Sequence, residues 1–254
     1  MNYTLLLLYA TIVIRYYIKD LLLFNNKMTR ATKRILIDYT EIMKDPVEHI
    51  HYANDEDNIF KGYALIVGPK DTPYENGFYL FEFTFPENYP FSPPKLKFHT
   101  YDGFTRFNPN LYINGYVCLS ILNTWEGEKW SACQSIRSIL VTLSTILNET
   151  PLLNEPGITI NHKDFNSYNE IIEYKNAEIS ILKYLDKTNL PYVFHSFYPI
   201  IINYFKQNYQ RIIDKLKDKP NKQIYLSIYN NMSAYLDYAY LTNKIDLLYN
   251  DFKN

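Results

Sequence analysis

Apolar and polar positions change rhythm several times along this chain. From Met28 to Lys44, apolar residues Ile35, Ile37, Tyr39, Ile42 and Met43 suit an amphipathic helix that ends before Pro46. Strand-like runs follow around Val47–Tyr52 and Ile59–Val67, separated by the polar turn Asn54-Asp55-Glu56-Asp57-Asn58. Between Phe78 and Phe85 the alternation sets Tyr79, Phe81, Phe83 and Phe85 on one face, against Glu82 and Thr84 on the other. A fourth short strand runs from Lys95 to His99. The succession predicts an α+β fold: a four-stranded antiparallel meander, with helices segregated before and after it.

Helical spacing then takes over. Ile136, Ile139, Leu140, Leu143, Ile146 and Leu147 follow Ser131-x-x-Gln134, a capping-box pattern, and Pro151 stops the run. Ser167-x-x-Glu170 predicts the cap of a helix reaching about Leu185. Further stripes predict one helix through Tyr198, Ile201, Ile202, Phe205, Ile212, Ile213 and Leu216. Another is predicted through Ile224, Tyr225, Ile228, Tyr229, Met232, Tyr235, Leu236 and Ala239. The expected organisation is an apolar extension over 1–27, a folded core over 28–185 and an all-helical extension over 186–254. Breakers agree with it: all seven glycines lie between Gly62 and Gly157, and ten of the thirteen prolines between Pro46 and Pro156.

Residues 1–27 run apolar through Leu5-Leu6-Leu7-Leu8 and Thr11-Ile12-Val13-Ile14, are interrupted by Arg15, Lys19 and Asp20, and resume at Leu21-Leu22-Leu23-Phe24. The unbroken run is shorter than the roughly 20 residues of an ordinary membrane span, and neither a basic n-region nor a small-residue cleavage site marks a secretory signal. Three readings stand: an interfacial membrane anchor, a marginal spanning helix, or an upstream extension of the frame ahead of a natural start at Met28.

Composition narrows the classes. A formal net charge of −1 gives no basic field for nucleic acid. Two cysteines, Cys118 and Cys133, without a pairing framework point to free thiols in a reducing, intracellular compartment. The 26 tyrosines and 15 phenylalanines, alongside abundant Asn, Ile and Lys, share AT-rich codons and are read as genome composition. Between Lys206 and Lys222 six basic residues face Asp214 and Asp218, a pattern expected of a solvated face. His49 and His51 have no further Cys/His cluster beside them, so no metal site is expected.

One stretch carries candidate chemistry. Asn114-Gly115 is a hairpin signal in which both residues tolerate positive φ. Upstream, Asn108-Pro109-Asn110 is stiffened by its proline, which biases Asn108 to extended backbone. Together they make a rigid loop able to hold an amide side chain near the sulfur of Cys118. On the residues alone, Cys118 is either a small buried hydrophobe or a nucleophile.

The order of several motifs decides more. Gly68-Pro69, Thr72-Pro73-Tyr74, Gly77, Phe85-Pro86, Tyr89-Pro90-Phe91-Ser92-Pro93-Pro94, Asn108-Pro109-Asn110, Cys118-Leu119 and Trp130 together resemble the ubiquitin-conjugating enzymes over about Met28 to Leu185. Cys118 follows Asn110 by eight residues, the family's spacing. The chain is most similar to the large atypical branch, in which Asn-Pro-Asn replaces His-Pro-Asn. Its Cys118-to-Trp125 run, Trp125-to-Lys129 insertion and Asn154-Glu155-Pro156-Gly157 turn also match that branch.

The resemblance implies that Cys118 accepts ubiquitin as a thioester from an activating enzyme and passes it to a substrate lysine. It implies that Asn110 stabilises the thioester oxyanion, that Asn108 braces the active-site loop, and that Glu155 positions and deprotonates the lysine. Phe91, Pro93, Ser131 and Ala132 match surfaces that ligases grip. However, Ala132-Cys133 departs from the usual Pro-Ala after the serine, and Lys61 stands where tryptophan is frequent. No cofactor is implied, ATP being used by the activating enzyme. Expected partners are ubiquitin, that enzyme, a ligase and protein substrates, in cytoplasm or nucleus, with the helical extension recruiting a ligase or substrate or freeing the enzyme from a ligase. Two alternatives stay open: a silent variant acting as a ubiquitin-binding scaffold, against which Cys118 with Asn110 argues, and loading with a ubiquitin-like modifier.

Overall fold

Thr29 opens the first helix by accepting a hydrogen bond from Thr32 N at 3.1 Å, leaving α1 as Arg30–Lys44. This computed structural model describes residues 28–230 and 232–252, so all three readings of the segment 1–27 fall outside the described residues. The buried stripe of α1 is Ala31, Ile35 and Ile42, with one carboxylate among them, Asp38. Asp38 accepts from Arg34 Nε at 2.7 Å, from the Tyr89 hydroxyl and from the backbone N–H of Ile136 at 3.2 Å.

That last bond fixes where the next helix begins. α2 is Ile136–Ile146, capped by Ser135 with Ser138 in a reciprocal box. The expected cap, Ser131 with Gln134, instead closes the turn before it, where Gln134 N donates to Ser131 O at 3.0 Å. Asp38 satisfies one of the orphan donors of the first turn, so the helix starts at Ile136 and no earlier.

Four strands form the expected antiparallel meander in the order β1 (Ile50–Asn54), β2 (Lys61–Val67), β3 (Phe78–Thr84) and β4 (Lys95–Phe98). β1 starts later than expected because His49 turns the chain with φ 64°. Cross-strand partners Tyr52, Ala64, Phe81 and Phe98 share a face, and Tyr79, Phe81, Phe83 and Phe85 are buried there. Phe78 and Leu80, on the opposite face, are buried as well, because the C-terminal part of the chain lies over them.

α3 (Phe165–Lys175) continues through a π-helical stretch, Asn176–Leu182, to Lys183–Leu185. Its N-cap position is Asp164, three residues before the expected Ser167, and the Asp164 carboxylate bonds elsewhere. Gly77 permits a close crossing here, since a Cβ on it would lie 1.8 Å from Asn176 Oδ1.

α4 (Tyr198–Leu216) buries Ile201, Phe205, Ile212, Ile213 and Leu216 as its stripe predicts. The next element corrects the expectation of an all-helical extension. Residues expected to form a helix instead make an antiparallel hairpin, β5 (Lys222–Tyr225) with β6 (Ser233–Leu236), and the last helix is α5 (Tyr238–Asp251). Ile224, Leu226, Ala234 and Leu236 are buried while Tyr225 and Tyr235 are exposed, a period of two that suits β-branched and aromatic residues on a half-buried ribbon. Among the described residues no helix is long and apolar enough to cross a membrane.

The extension is bound to the sheet by rings and charges. Phe194 lies 5.5 Å from Tyr63 and 5.1 Å from His99, and Tyr204 lies 6.0 Å from Phe78 and 5.8 Å from His49. The basic run is no free face. Arg211 and Lys215 both pair with buried Glu75, Lys219 reaches Glu173 at 2.8 Å, and Lys222 reaches Glu170 at 2.5 Å. Burial raises the Glu75 carboxyl, but hydrogen bonds from Lys215 and Arg211 outweigh it and hold the group below its ordinary 4.5. The stability it contributes is therefore full above that value and lost as pH falls through the lower, folded one. Glu75→Gln should cost about 1–3 kcal/mol at pH 7. By chemical denaturation the gap from wild type should narrow as pH falls below 4.5, and a gap that stays constant across that fall would refute the linkage.

Candidate active site

The loop that carries the cysteine is fixed before any side chain acts. Gly115 turns the chain with φ 85°, while Tyr112 N donates to Tyr116 O and Gly115 N to Tyr112 O, each at 2.9 Å. Only Gly115 of the expected Asn114-Gly115 pair adopts positive φ, so the loop is a three-residue hairpin with its left-handed residue at the end. The following strand arm delivers Cys118, whose N–H donates to Asn110 O at 2.9 Å.

Asn110 completes the clasp: its Nδ2 donates to the Cys118 carbonyl at 2.7 Å. The amide expected to face an oxyanion is thus engaged as a brace in the free chain. Its second N–H has no protein partner among the described residues. Asn108 is fully buried and uses all of its hydrogen-bonding capacity. Nδ2 donates to the Tyr74 hydroxyl at 2.9 Å and to Ile146 O at 2.8 Å, and Oδ1 accepts from Asn110 N at 3.0 Å and Asn154 Nδ2 at 3.4 Å.

Cys118 is 4% exposed and its Sγ–H points at the Thr124 carbonyl. Burial pushes the thiol above its ordinary 9.0, and Thr124 and the nearby Arg106 charge pull it back only in part. The sulfur borders an open groove of about 640 Å³, also lined by Trp125, Glu126 and Lys129 of the insertion and by Tyr112 and Pro156. Glu155, half-buried beside Pro156, accepts a 2.7 Å hydrogen bond at Oε2 from the Tyr229 hydroxyl.

Arg106 is a site residue that pattern reading missed. Its guanidinium lies 3.2 Å over the Tyr112 ring and donates to the Asn108 and Pro109 carbonyls at 3.1 and 2.6 Å. No periodicity marks it. The only available signal was a lone basic residue two positions ahead of a proline-stiffened loop. Tyr229 was hidden inside the expected helix.

A second surface gathers the other site residues. Phe91 is 60% exposed with the Arg30 guanidinium 5.5 Å from its ring, and Pro93 is half-buried on the same loop. Trp130 Nε1 donates to Pro90 O at 2.6 Å, which draws the Ser131-Ala132 turn beside Phe91. Arg34 pins that turn by donating to Ala132 O and Gln134 O at 2.8 and 2.5 Å. Lys61 lies away from these loops on the other sheet face, 3.5 Å from Glu82, and His49 and His51 line a cleft against α4.

The arrangement sets one thiol at the edge of a groove, with the Asn110 amide bonded to its backbone and Pro156, the neighbour of Glu155, among the groove residues. Residues 34–175, more than half of the chain, match the family model "Ubiquitin-conjugating enzyme", and the chain belongs to the ubiquitin-conjugating enzyme family. Ubiquitin-conjugating enzyme E2 Z of Xenopus tropicalis is 42% identical over 156 residues, 60% of this chain and 50% of that one. Its Homo sapiens namesake is 44% identical over 151 residues, 58% of this chain and 43% of that one. The Homo sapiens dual E2 ubiquitin-conjugating enzyme/E3 ubiquitin-protein ligase BIRC6 is 50% identical over 109 residues, 41% of this chain and 2% of that one. The chain therefore spans half or less of the length of these relatives.

Exposure and burial separate the two thiols. Cys133 is exposed and Cys118 buried, so iodoacetamide at about pH 7.5 should modify Cys133 first, since only thiolate reacts. Because its thiol sits above 9.0, the Cys118 rate should still be rising past that pH. A Cys118 rate that levels off below pH 8, read by mass spectrometry of the two peptides, would contradict the burial argument.

Proposed function

We propose that this chain is an active ubiquitin-conjugating enzyme with Cys118 as acceptor. The observation that supports it best is the mutual clasp of Cys118 and Asn110 at the edge of an open groove, which a merely buried cysteine does not need. In the first step the Cys118 thiolate attacks the thioester carbonyl carbon of ubiquitin carried by the activating enzyme. A new C–S bond forms and the activating enzyme's sulfur leaves as thiolate. In the second, a substrate lysine amine attacks the same carbon, the C–N bond forms, and Cys118 sulfur leaves as thiolate.

The second step builds negative charge on the thioester oxygen. We assign the unused N–H of Asn110 to that oxygen, where one donor is commonly worth about 10²–10³ in rate. A free lysine ammonium has a pKa of about 10.4 and must lose a proton before it can attack. We assign that proton to Glu155, which relays it to water. Asn108 braces both loops. The reaction draws on the thioester and on ATP spent by the activating enzyme, and calls on no cofactor in this chain. Phe91, Pro93, Ser131 and Ala132 offer the ligase-facing surface, and two free thiols suit the reducing cytoplasm or nucleus.

Charging with an activating enzyme, ATP and ubiquitin, read on gels with and without reductant, tests the assignment. Wild type and Cys133→Ser should form a reductant-sensitive adduct, and Cys118→Ser should lose it or replace it with a stable ester. Asn110→Ala should form the adduct but release ubiquitin to lysine about 10²–10³ times more slowly. No adduct with any activating enzyme would return Cys118 to a buried thiol and favour a scaffold, and exclusive loading of a ubiquitin-like protein would reassign the modifier.

A further inference from the structure

The C-terminal hairpin carries one side chain, Tyr229, into contact with Glu155 and Arg106. Between β5 and β6 the chain reverses through Tyr229 and Asn230, both with φ 55°. A bulky residue held in left-handed backbone is strained and persists where its surroundings over-determine it. The surroundings here are explicit. The Asp164 carboxylate accepts from Ser227 N at 2.8 Å, Ser227 Oγ at 2.6 Å and Ile228 N at 3.0 Å, which is where the missing cap of α3 is spent. On the other side of the tip, Met232 sulfur accepts from Arg106 N at 3.2 Å.

So fixed, Tyr229 lies 5.9 Å from the Tyr168 ring and 5.3 Å from the Arg106 guanidinium, and its hydroxyl reaches Glu155 Oε2 at 2.7 Å. Arg106 in turn stacks on Tyr112 at the Cys118 groove and holds the carbonyls of the Asn108 loop. Glu155 Oε1 has no protein partner among the described residues.

We infer that Tyr229 is a positioning residue for acyl transfer: its hydroxyl fixes one oxygen of the Glu155 carboxylate and leaves Oε1 to meet the incoming lysine amine. The extension is then part of the reacting site. This rests on the reading of Glu155 given above. Burial, and after it the Glu155 carboxylate, push the Tyr229 hydroxyl upward, so it stays a donor throughout the working pH range. In the step it serves, the lysine ammonium gives one proton to Oε1, which passes it to water; the neutral amine then forms its bond to the carbonyl carbon, sulfur departs with the C–S electron pair, and the second nitrogen proton is taken up by the departing thiolate.

The test starts from full-length chain already carrying ubiquitin on Cys118, with discharge normalised to loaded thioester. Free lysine and hydroxylamine are compared as acceptors, because hydroxylamine is neutral and small and does not need a positioned carboxylate. In Tyr229→Phe the lysine-to-hydroxylamine rate ratio should fall about tenfold, the usual value of a hydrogen bond to a charged group. Glu155→Gln should lower the ratio at least as far, and the double variant no further. Asp164→Ala, which releases the tip without altering Tyr229, should lower the ratio in the same direction.

If Tyr229→Phe keeps the wild-type ratio, or discharges lysine faster, while Glu155→Gln loses it, the inference is wrong and the Glu155 reading survives. If Glu155→Gln also keeps the ratio, both fall together. Equal slowing toward both acceptors in Tyr229→Phe would assign the tyrosine to packing alone.

Discussion

Everything around the Cys118 loop depends on one buried amide. Asn108 offers two donors and two acceptor sites, and each is used. The four bonds reach the Tyr74 loop, the C-terminal turn of α2, the backbone of Asn110 and, through Asn154, the turn that carries Glu155. An imidazole at this position has two hydrogen-bonding atoms and could serve two of those partners at once. The asparagine therefore sets the distance between the cysteine loop and the acidic turn. Any rearrangement of one loop leaves a polar group of the other unpaired in a dry interior.

The second dependence runs through the sheet. A meander with one polar face ordinarily leaves that face in water. Here Phe78 and Leu80 on that face are buried because Phe194 and Tyr204 lie against it, and Glu75 draws two cations of α4 onto the core. Residues beyond Leu185 join the same hydrophobic core as the meander. What reads in sequence as an appended segment is in energetic terms a wall of the fold.

The legible parts were those in which side-chain period and backbone need agree. Tyr79, Phe81 and Phe83 alternate strictly, and β3 formed where alternation placed it. The turns at the proline-stiffened loops and at Gly115 were legible because proline and glycine constrain backbone locally. The hairpin over Lys222–Leu236 was illegible because tyrosines at 225, 229 and 235 mimic a helical stripe, while the turn rests on Asp164, some sixty residues away in sequence. At α2 the Asp38 carboxylate bonds Ile136 N from across the fold and supports the later start, whereas at α3 the carboxylate in the N-cap position is spent on Ser227 and Ile228 and gives the helix no side-chain cap. Arg106 had no local signal at all, since its role is set by carbonyls and rings that meet only after folding.

For Cys118 as the proposed acceptor, the upward shift that burial gives its thiol bears on the lifetime of an acyl group held there. A sulfur reluctant to bear negative charge is a reluctant leaving group. An acyl group on it resists water, and one arriving from a more acidic thiol moves downhill. On the proposed reading of Cys118 as acceptor, its burial in the groove that Trp125 also lines would make the site a store of acyl potential, held for an amine that is both deprotonated and aligned.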